Sequence, residues 1–414
     1  MKKIYMNEKA RFFEMRGIPI VANVDNSAII GLTPEGVDFW KKIQQQVVTT
    51  EDVDVHQELY QQLIESDIIS ETVYAPCEVV EFSPTFAYLH VTNKCNLKCL
   101  GCYSMDDRSR CCQKEPTLDE LKLAMERLKA AGVETVVISG GEPFVRRDFK
   151  ELLTYGKALG LYLIVITNGT ISVDFEPYLD VIDEISVSVD GFSLEQPTFI
   201  RDAGIFEKIM TTVKKLKALD FNVGILPTLH RKNIRYMREY DELSNELGVR
   251  ISYSLLSVCE TSELGSFIPN NEDLRQLSDY IFTAGAAVED MSLSRNLGAS
   301  LSCGAGKDLI SISSDGNIYP CHLLHMPELA LGNIFQHALE VEKLNQDVLD
   351  EFCTKNVETI DGCKKCEFRY FCAGGCRARA YYDHGTINKR DRYCAHMKHF
   401  YQNVTDELLN ELES

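Results

Sequence analysis

The sequence predicts an α/β protein whose main domain is a partial TIM barrel, (β/α)6, flanked by smaller modules. Its 414 residues are more than one ordinary core needs. Helical patterns separate six short runs rich in Val and Ile, each with the length of a buried parallel strand. Right-handed crossovers would curl them into about three quarters of a barrel, and an open doubly wound sheet is the alternative. The six runs are residues 86–91, 134–138, 161–166, 184–189, 221–226 and 250–255.

The first helix of the barrel has the most complete pattern. Thr117 and Glu120 form a capping box, and Gly132 ends the helix. Apolar residues between them recur at helical spacing: Leu118, Leu121, Met125 and Leu128. Strand, helix and strand therefore follow one another from the start of the barrel.

A small module precedes the barrel. "VANVDNSAIIG" predicts two strands, and a helix begins near Thr33 with Pro34 at its first position. Another helix follows at "DVHQELYQQLIESDI". Two strands with helices in so short a segment predict a winged-helix-like module, whose role would be binding.

The last quarter of the chain differs in kind. "LISISSDGNIYP" predicts a hairpin with Asp315-Gly316 as its turn. "CKKCEFRYFCAGGC" is too rich in Cys and Gly for an ordinary core, so we expect metal to hold it together. The predicted domains are residues 1–78 for the N-terminal module, 79–258 for the barrel, 259–300 for a linking helical segment, 301–400 for the Cys-rich domain and 401–414 for a helical tail.

Composition excludes several classes of function. A net charge of −19 disfavours nucleic acid, and no apolar run is long enough to span a membrane. The N-terminus lacks the pattern of a secretory signal, so we expect a cytoplasmic protein. Fifteen cysteines in a reducing compartment indicate metal, either zinc or iron–sulfur.

Three of these cysteines directly follow the first barrel strand. Cys95, Cys99 and Cys102 lie in "VTNKCNLKCLGC", and active sites of such barrels form where the strands end. Three thiolates match three irons of a 4Fe–4S cube, whose fourth iron would then bind a small molecule. A structural zinc would need a fourth Cys or His in register, and the alternatives are a zinc knuckle or three unrelated thiols.

Polar or close-packing residues also end the next three strands. We expect two glycines to admit a ligand near the backbone, a glutamate to accept from a cationic amine, and short polar groups to bind a sugar. An arginine further on could pair with a carboxylate. These residues are Gly140, Gly141, Glu142 and Pro143, then Thr167 and Asn168, then Ser188 and Asp190, and finally Arg201.

"CNLKCLGC" resembles the three-cysteine signature of the radical S-adenosylmethionine (SAM) enzymes. The resemblance implies that the open iron chelates SAM and that reduction cleaves SAM to a 5′-deoxyadenosyl radical. It also implies that "GGEP" contacts the methionine amine, Ser188 the ribose and Arg201 the methionine carboxylate. The position before Cys102, usually aromatic, is Gly101, so Tyr103 is expected to take over the adenine contact.

The tail resembles the SPASM extension of a subset of these enzymes. The resemblance implies two auxiliary 4Fe–4S clusters, which gives three with the SAM cluster. The first would be held by Cys303, Cys321 and Cys376, with Cys259, Cys353 or an open site as its fourth position. The second would be held by Cys363, Cys366, Cys372 and Cys394. Two structural zincs are the alternative.

The N-terminal module resembles PqqD-type peptide-recognition elements. A precursor's leader peptide would add a strand to it, and the barrel would form a thioether or carbon–carbon crosslink in a ribosomally made peptide. An electron donor such as flavodoxin or ferredoxin is implied. One alternative is a sulfatase-maturating, formylglycine-forming enzyme, for which His322 would replace the usual Asp base after Cys321. The other is a zinc-stabilised, non-enzymatic peptide-binding protein.

Overall fold

The central element of the protein is a largely parallel sheet covered by helices. The structure, a computed structural model, describes residues 2–74, 82–100, 102, 115–196, 199–201, 204–284 and 297–413. The six predicted barrel strands lie side by side in sequence order. A doubly wound sheet would reverse its strand order at one point, so the sequential order confirms the partial barrel.

The N-terminal module contains two small antiparallel sheets and three helices. The second, third and fourth strands form one sheet, and the first pairs with the fifth. Thr33 caps the first helix by accepting from the Gly36 N–H at 3.2 Å, as predicted. The second predicted helix is divided in two at His56. The elements are β1 Tyr5–Met6, β2 Ala10–Met15, β3 Ile18–Asn23, β4 Ile29–Gly31, α1 Pro34–Gln44, α2 Thr50–Val55, α3 Gln57–Glu65 and β5 Ile69–Ser70.

The barrel follows the predicted strand–helix alternation. The capping box of Thr117 and Glu120 is present at the start of its first helix. The sixth predicted strand is divided, and its two halves pair with different neighbours. The elements are β6 Phe86–His90, α4 Leu118–Ala130, β7 Thr135–Ser139, α5 Phe149–Ala158, β8 Tyr162–Thr167, β9 Glu184–Ser188, α6 Phe206–Ala218, β10 Val223–Leu226, β11 Thr228–Leu229, α7 Met237–Leu247, β12 Arg250–Ile251 and β13 Ser254–Leu255.

The C-terminal part extends the sheet of the barrel. The predicted hairpin is present, and its first strand pairs in parallel with β6, so that Leu309 lies opposite Phe86. The last helix runs without a break across the domain boundary predicted at residue 400. The elements are α8 Asn271–Ala284, β14 Leu309–Ile312, β15 Asn317–Tyr319, β16 Gly332–Asn333, α9 Gln346–Thr354, α10 Arg369–Cys372, α11 Arg377–His384 and α12 Cys394–Glu413.

One face of the N-terminal sheet packs on the Cys-rich segment. The Phe13 ring lies 4.8 Å from the Tyr370 ring and 5.7 Å from the Phe371 ring, centroid to centroid. Met15 and Tyr401 belong to the same buried apolar cluster. Apolar contacts therefore stabilise a segment for which the composition predicted metal as the only support. Within the described ranges, no helix combines the length and apolar character needed to cross a bilayer.

Candidate active site and cluster-binding cysteines

Cys95, Cys99 and Cys102 lie in the loop that follows β6. The Cys95 sulfur accepts from the Leu97 N–H at 3.4 Å and from the Asn168 side-chain amide at 3.7 Å. The Arg201 guanidinium lies 3.9 Å from the Cys99 sulfur. N–H donors and a positive charge beside sulfur stabilise thiolates and the iron–sulfur clusters that they bind.

The three thiols are close enough to influence one another. Burial raises the pKa of Cys99 to about 11 against the lowering effect of Arg201, and the neighbouring Cys102 and Cys95 raise it further. Among the residues that the structure describes, no three His, Cys, Asp or Glu side chains are grouped so as to hold one metal ion. Three thiolates in one loop fit the three protein-bound irons of a 4Fe–4S cluster.

Glu142 joins three loops beneath the cysteines. Its carboxylate is fully buried and accepts from the Thr167 hydroxyl at 2.8 Å, the Asn168 N–H at 2.7 Å and the Phe144 N–H at 3.2 Å. Burial raises the pKa of Glu142, and these donors oppose the rise. Within the protein this carboxylate accepts from Thr167, Asn168 and Phe144, and its contact with a ligand's amine stays a prediction.

Gly140 and Gly141 bring two loops together. A Cβ on Gly140 would lie 2.4 Å from the Thr92 oxygen, and one on Gly141 would lie 2.1 Å from the Lys94 oxygen. The Gly141 N–H donates to Thr92 at 2.7 Å. These glycines allow close approach of the backbone before Cys95, and their contact with a ligand stays a prediction. Pro143, which is buried, follows Glu142 as the first residue of a short helical turn.

Thr167 and Asn168, at the end of β8, hold the cysteine loop in place. The Asn168 side-chain amide donates to the Asn96 side-chain oxygen at 2.9 Å as well as to Cys95. The Thr167 hydroxyl donates to Glu142. Both groups make hydrogen bonds within the protein, and their contact with a sugar stays a prediction.

Arg201 and Asp190 form an ion pair at the mouth of the barrel. Asp190 also accepts from the Thr228 N–H at 2.9 Å. Burial would lower the pKa of Arg201, but Asp190 and Cys99 raise it, so the guanidinium stays charged. Arg201 thus links the end of β9 to the cysteine loop. Ser188, the predicted ribose contact, is the buried last residue of β9.

Two residues of the predicted site lie outside the described ranges. They are Tyr103, the expected adenine contact, and Gly101, the residue before Cys102.

The cysteines predicted for the first auxiliary cluster influence one another electrostatically. Burial raises the pKa of Cys321, and Cys376 and Cys303 raise it further. Of the two candidates for the fourth position, buried Cys353 donates to the Gly306 carbonyl at 3.6 Å. Cys259 is partly exposed, and its sulfur lies 3.7 Å from the Tyr382 carbonyl oxygen.

Tyr382 connects Cys259 with this group of thiols. Burial raises the pKa of the Tyr382 phenol, and the charges of Cys321, Cys376 and Cys259 add to the rise. Hydrogen bonding to Thr261 lowers the pKa of Cys259, which favours a thiolate.

The four cysteines predicted for the second auxiliary cluster line one cavity. The cavity is partly open to solvent. Burial raises the pKa of Cys363 to about 11, and Arg377 opposes the rise. A cavity with four converging thiols fits a 4Fe–4S cluster. The four are Cys363, Cys366, Cys372 and Cys394.

His322 lies beside the first group of thiols. Its ring packs against Tyr88 of β6 at 4.1 Å between centroids, and its Nδ1 is 3.7 Å from the Cys321 sulfur. His90 and His325 lie nearby with their rings 4.7 Å apart, and Ser311 contacts the His325 Nε2 at 2.8 Å. From the sequence, His322 alone was a candidate. The histidine cluster was not predicted, because it forms only when β14 pairs with β6.

Family comparisons agree with the site. The radical SAM superfamily matches residues 89–243, which include Cys95, Cys99 and Cys102. The SPASM iron–sulfur cluster-binding domain matches residues 303–367, which include Cys303, Cys321, Cys363 and Cys366. Together these matches imply SAM and 4Fe–4S clusters.

Curated relatives include enzymes with different named reactions. An AdoMet-dependent heme synthase of Methanosarcina barkeri is 27% identical over 75% of this chain and 96% of its own length. The mycofactocin maturase MftC of Mycobacterium tuberculosis is 25% identical over 73% of this chain and 81% of its own. The names of the two relatives refer to different products, haem and mycofactocin.

Solved structures share the fold. Native anSMEcpe with bound AdoMet has a TM-score of 0.66 at 20% identity and covers 79% of this chain and 98% of its own. Streptococcus suis SuiB bound to precursor peptide SuiA has a TM-score of 0.59 at 17% identity. This match covers 94% of this chain and 99% of the SuiB chain. The family matches, the fold and the cysteines together establish that the chain is a radical SAM enzyme with a C-terminal SPASM domain.

Proposed function

We propose that the protein matures a ribosomally made precursor peptide by forming a thioether or carbon–carbon crosslink. The observation that carries this proposal is the extent of the fold match. The peptide-bound SuiB structure covers 94% of the chain, whereas anSMEcpe covers 79%. The relationship to a maturase, MftC, supports the same class of reaction.

Three sets of cysteines would hold the clusters. Cys95, Cys99 and Cys102 would bind the SAM cluster, and Asn168 and Arg201 would contact its thiolates. When bound, the SAM cluster supplies the electron that cleaves SAM to a 5′-deoxyadenosyl radical, and this radical takes hydrogen from the peptide. Glu142 and the two glycines before it would hold the cysteine loop against the barrel mouth.

The two auxiliary clusters would accept the electron left over after bond formation. The first set is Cys303, Cys321 and Cys376, and Cys259 supplies the fourth ligand because it lies beside Tyr382 with the other thiols. The second set is the four cysteines that line the cavity. An external donor such as flavodoxin or ferredoxin would reduce the SAM cluster.

The N-terminal module, residues 1–78, would bind the leader of the precursor. Its three-stranded sheet has β2 and β4 as outer strands, and an extended leader would add a strand at one of these edges. Because the module packs on the Cys-rich segment, a bound leader would be tethered to the catalytic part of the chain. Tethering raises the effective concentration of the core peptide at the barrel.

The similarity to the Methanosarcina barkeri heme synthase supports a second candidate function, a haem-forming reaction on a porphyrin. The heme synthase is matched over 96% of its own length and 75% of this chain. That reaction would give the N-terminal module no evident role in binding a leader.

The test is to incubate the anaerobically reconstituted enzyme with dithionite, SAM and any short peptides encoded beside the gene. We expect 5′-deoxyadenosine and a peptide lighter by two hydrogen atoms per crosslink in mass spectrometry. The control is the Cys95→Ala/Cys99→Ala/Cys102→Ala variant, which should form neither product. Unchanged peptides, together with haem formed from added porphyrin precursor, would favour the second candidate.

A further inference from the structure

A buried ion pair, Arg379 with Asp391, lies between the cysteines of the two auxiliary sets. Asp391 is 3% exposed and Arg379 is 4% exposed. The guanidinium donates to both carboxylate oxygens, from Nε at 2.8 Å and from Nη2 at 2.6 Å. Burial alone would raise the pKa of Asp391, but Arg379 holds it below its ordinary value. A two-bond pair of this kind fixes the orientation of both side chains.

Asp391 also binds the backbone at one cysteine of each set. Its Oδ2 accepts from the Cys376 N–H at 2.8 Å, and its main-chain oxygen accepts from the Cys394 N–H at 3.1 Å. Its Oδ1 accepts from the Tyr393 N–H at 3.0 Å. Asp391 lines the cavity of the second set as well. One residue therefore contacts both predicted cluster sites.

Gly375 makes this approach possible. Its φ is +71°, and a Cβ at this position would lie 2.5 Å from the Asp391 Oδ2. Any other residue would displace the carboxylate from the Cys376 N–H, and its backbone would be strained. The chain thus has no side chain at the point where the carboxylate meets the cysteine.

Arg379 connects the pair to the barrel. Its Nη1 donates to the Ser257 hydroxyl at 3.3 Å, in the segment that follows β13. Its guanidinium lies 4.7 Å from the centre of the Tyr393 ring, and the Tyr393 hydroxyl donates to the Leu256 carbonyl at 2.7 Å. The pair is therefore fixed at its barrel end as well as at both cysteines.

We propose that Asp391 and Arg379 are positioning residues that hold Cys376 and Cys394 at a fixed separation and so fix the two auxiliary clusters relative to each other and to the barrel. The inference rests on the assignment of these clusters under Proposed function. A buried ion pair adds little net stability over apolar side chains of the same size. The contacts of the ion pair with both cysteines, rather than a gain in stability, therefore explain its presence.

The test uses the full-length Cys95→Ala/Cys99→Ala/Cys102→Ala variant as the parent, so that all remaining iron belongs to the auxiliary clusters. Anaerobic reconstitution should load about eight irons per chain. Redox titrations followed by EPR then give the signals and midpoint potentials of both clusters. A parent that binds no iron would overturn the cluster assignment, and the inference with it, before any positioning variant is made.

Two variants remove the pair in this parent. Asp391→Asn keeps the shape but removes the charge, and the double variant Arg379→Leu/Asp391→Leu replaces the pair with apolar side chains. We expect both variants to shift the signals and potentials of both clusters, or to lose iron from both. If Asp391→Asn does not fold, Gly375→Ala displaces the same carboxylate and should give the same spectral changes.

The matched control is Asp183→Asn. Asp183 pairs with Lys157 at 2.7 Å in the barrel and is largely buried. This variant should keep the spectra and iron content of the parent. Unchanged spectra in the Asp391 variants, or equal changes in Asp183→Asn, would overturn the positioning role.

Discussion

Arg11 of β2 and Glu358, shortly before Cys363, form an ion pair with 2.7 Å between Nε and Oε1. The Tyr370 hydroxyl donates to the same Glu358 oxygen at 2.8 Å. The N-terminal module thus contacts the segment that carries the second set of cysteines by charge as well as by the packing of Phe13. A ligand bound to the N-terminal module would therefore be bound to a part of the chain that contacts the segment of a predicted cluster site.

Glu358→Gln should weaken the attachment of the N-terminal module by at most about 1 kcal/mol, because the pair is partly exposed. Trp40 is the one tryptophan of the chain and is buried in this module, so its fluorescence during urea unfolding reports the effect. Lys41→Ala, which removes an exposed pair with Asp38 on the same module, is the control.

The same pair gives a pH dependence. The hydrogen bond from Arg11 lowers the pKa of Glu358 from 4.5, so its contribution is fully present above the pKa of the unfolded chain and is lost as pH falls through the lowered value. The difference between wild type and Glu358→Gln should therefore stay constant from neutral pH to about pH 5 and shrink below that. A difference that already shrinks between pH 8 and about pH 6 would contradict the assignment.

Glu142→Gln should destabilise the barrel by about 1–3 kcal/mol, because an amide nitrogen would face N–H or O–H donors where the carboxylate now accepts. SAM cleavage should fall with it, since this carboxylate holds Asn168, which contacts the cysteine loop. Thermal unfolding and the yield of 5′-deoxyadenosine measure the two effects. Glu151→Gln, on an exposed pair with Lys122, should leave both unchanged.

Asn168→Ala should make the midpoint potential of the SAM cluster more negative. Hydrogen bonds to cluster sulfurs raise the potential, and this change removes the amide that contacts Cys95 at 3.7 Å. A redox titration of the EPR signal that changes on addition of SAM gives the value. Asn345→Ala, which removes the cap of α9 far from this loop, is the control. Equal potentials in wild type and Asn168→Ala would show that the amide does not contact the cluster.

Gly141→Ala should disrupt the site more than its size suggests. The added methyl group would lie 2.1 Å from the Lys94 carbonyl oxygen, so one of the two loops must move, at a cost of about 1–3 kcal/mol. We expect iron bound by the first three cysteines to fall. Gly31→Ala, where a Cβ meets nothing within 4 Å, should keep full iron content. An iron content in Gly141→Ala equal to that of wild type would show that the loop contact is dispensable.

Local patterns predicted much of this protein. The strand predicted at residues 161–166 is β8, and the capping box of Thr117 and Glu120 precedes α4. Both could be predicted because the length of a strand and the cap of a helix depend on residues close together in the sequence. The roles of Glu142 and Asn168 were not predictable, since their partners come from loops that meet only in the folded barrel. Asp391 had no sequence signal beyond its place near Cys394, and only the fold brings it to Cys376.

The parallel pairing of β14 with β6 has a consequence for the history and engineering of such chains. The cysteine-rich domain cannot simply be deleted. Its removal would leave the backbone N–H and C=O groups on one edge of β6 unpaired, and β6 could then pair with a strand of another copy. A shortened version would need a new cover for that border before it could remain monomeric.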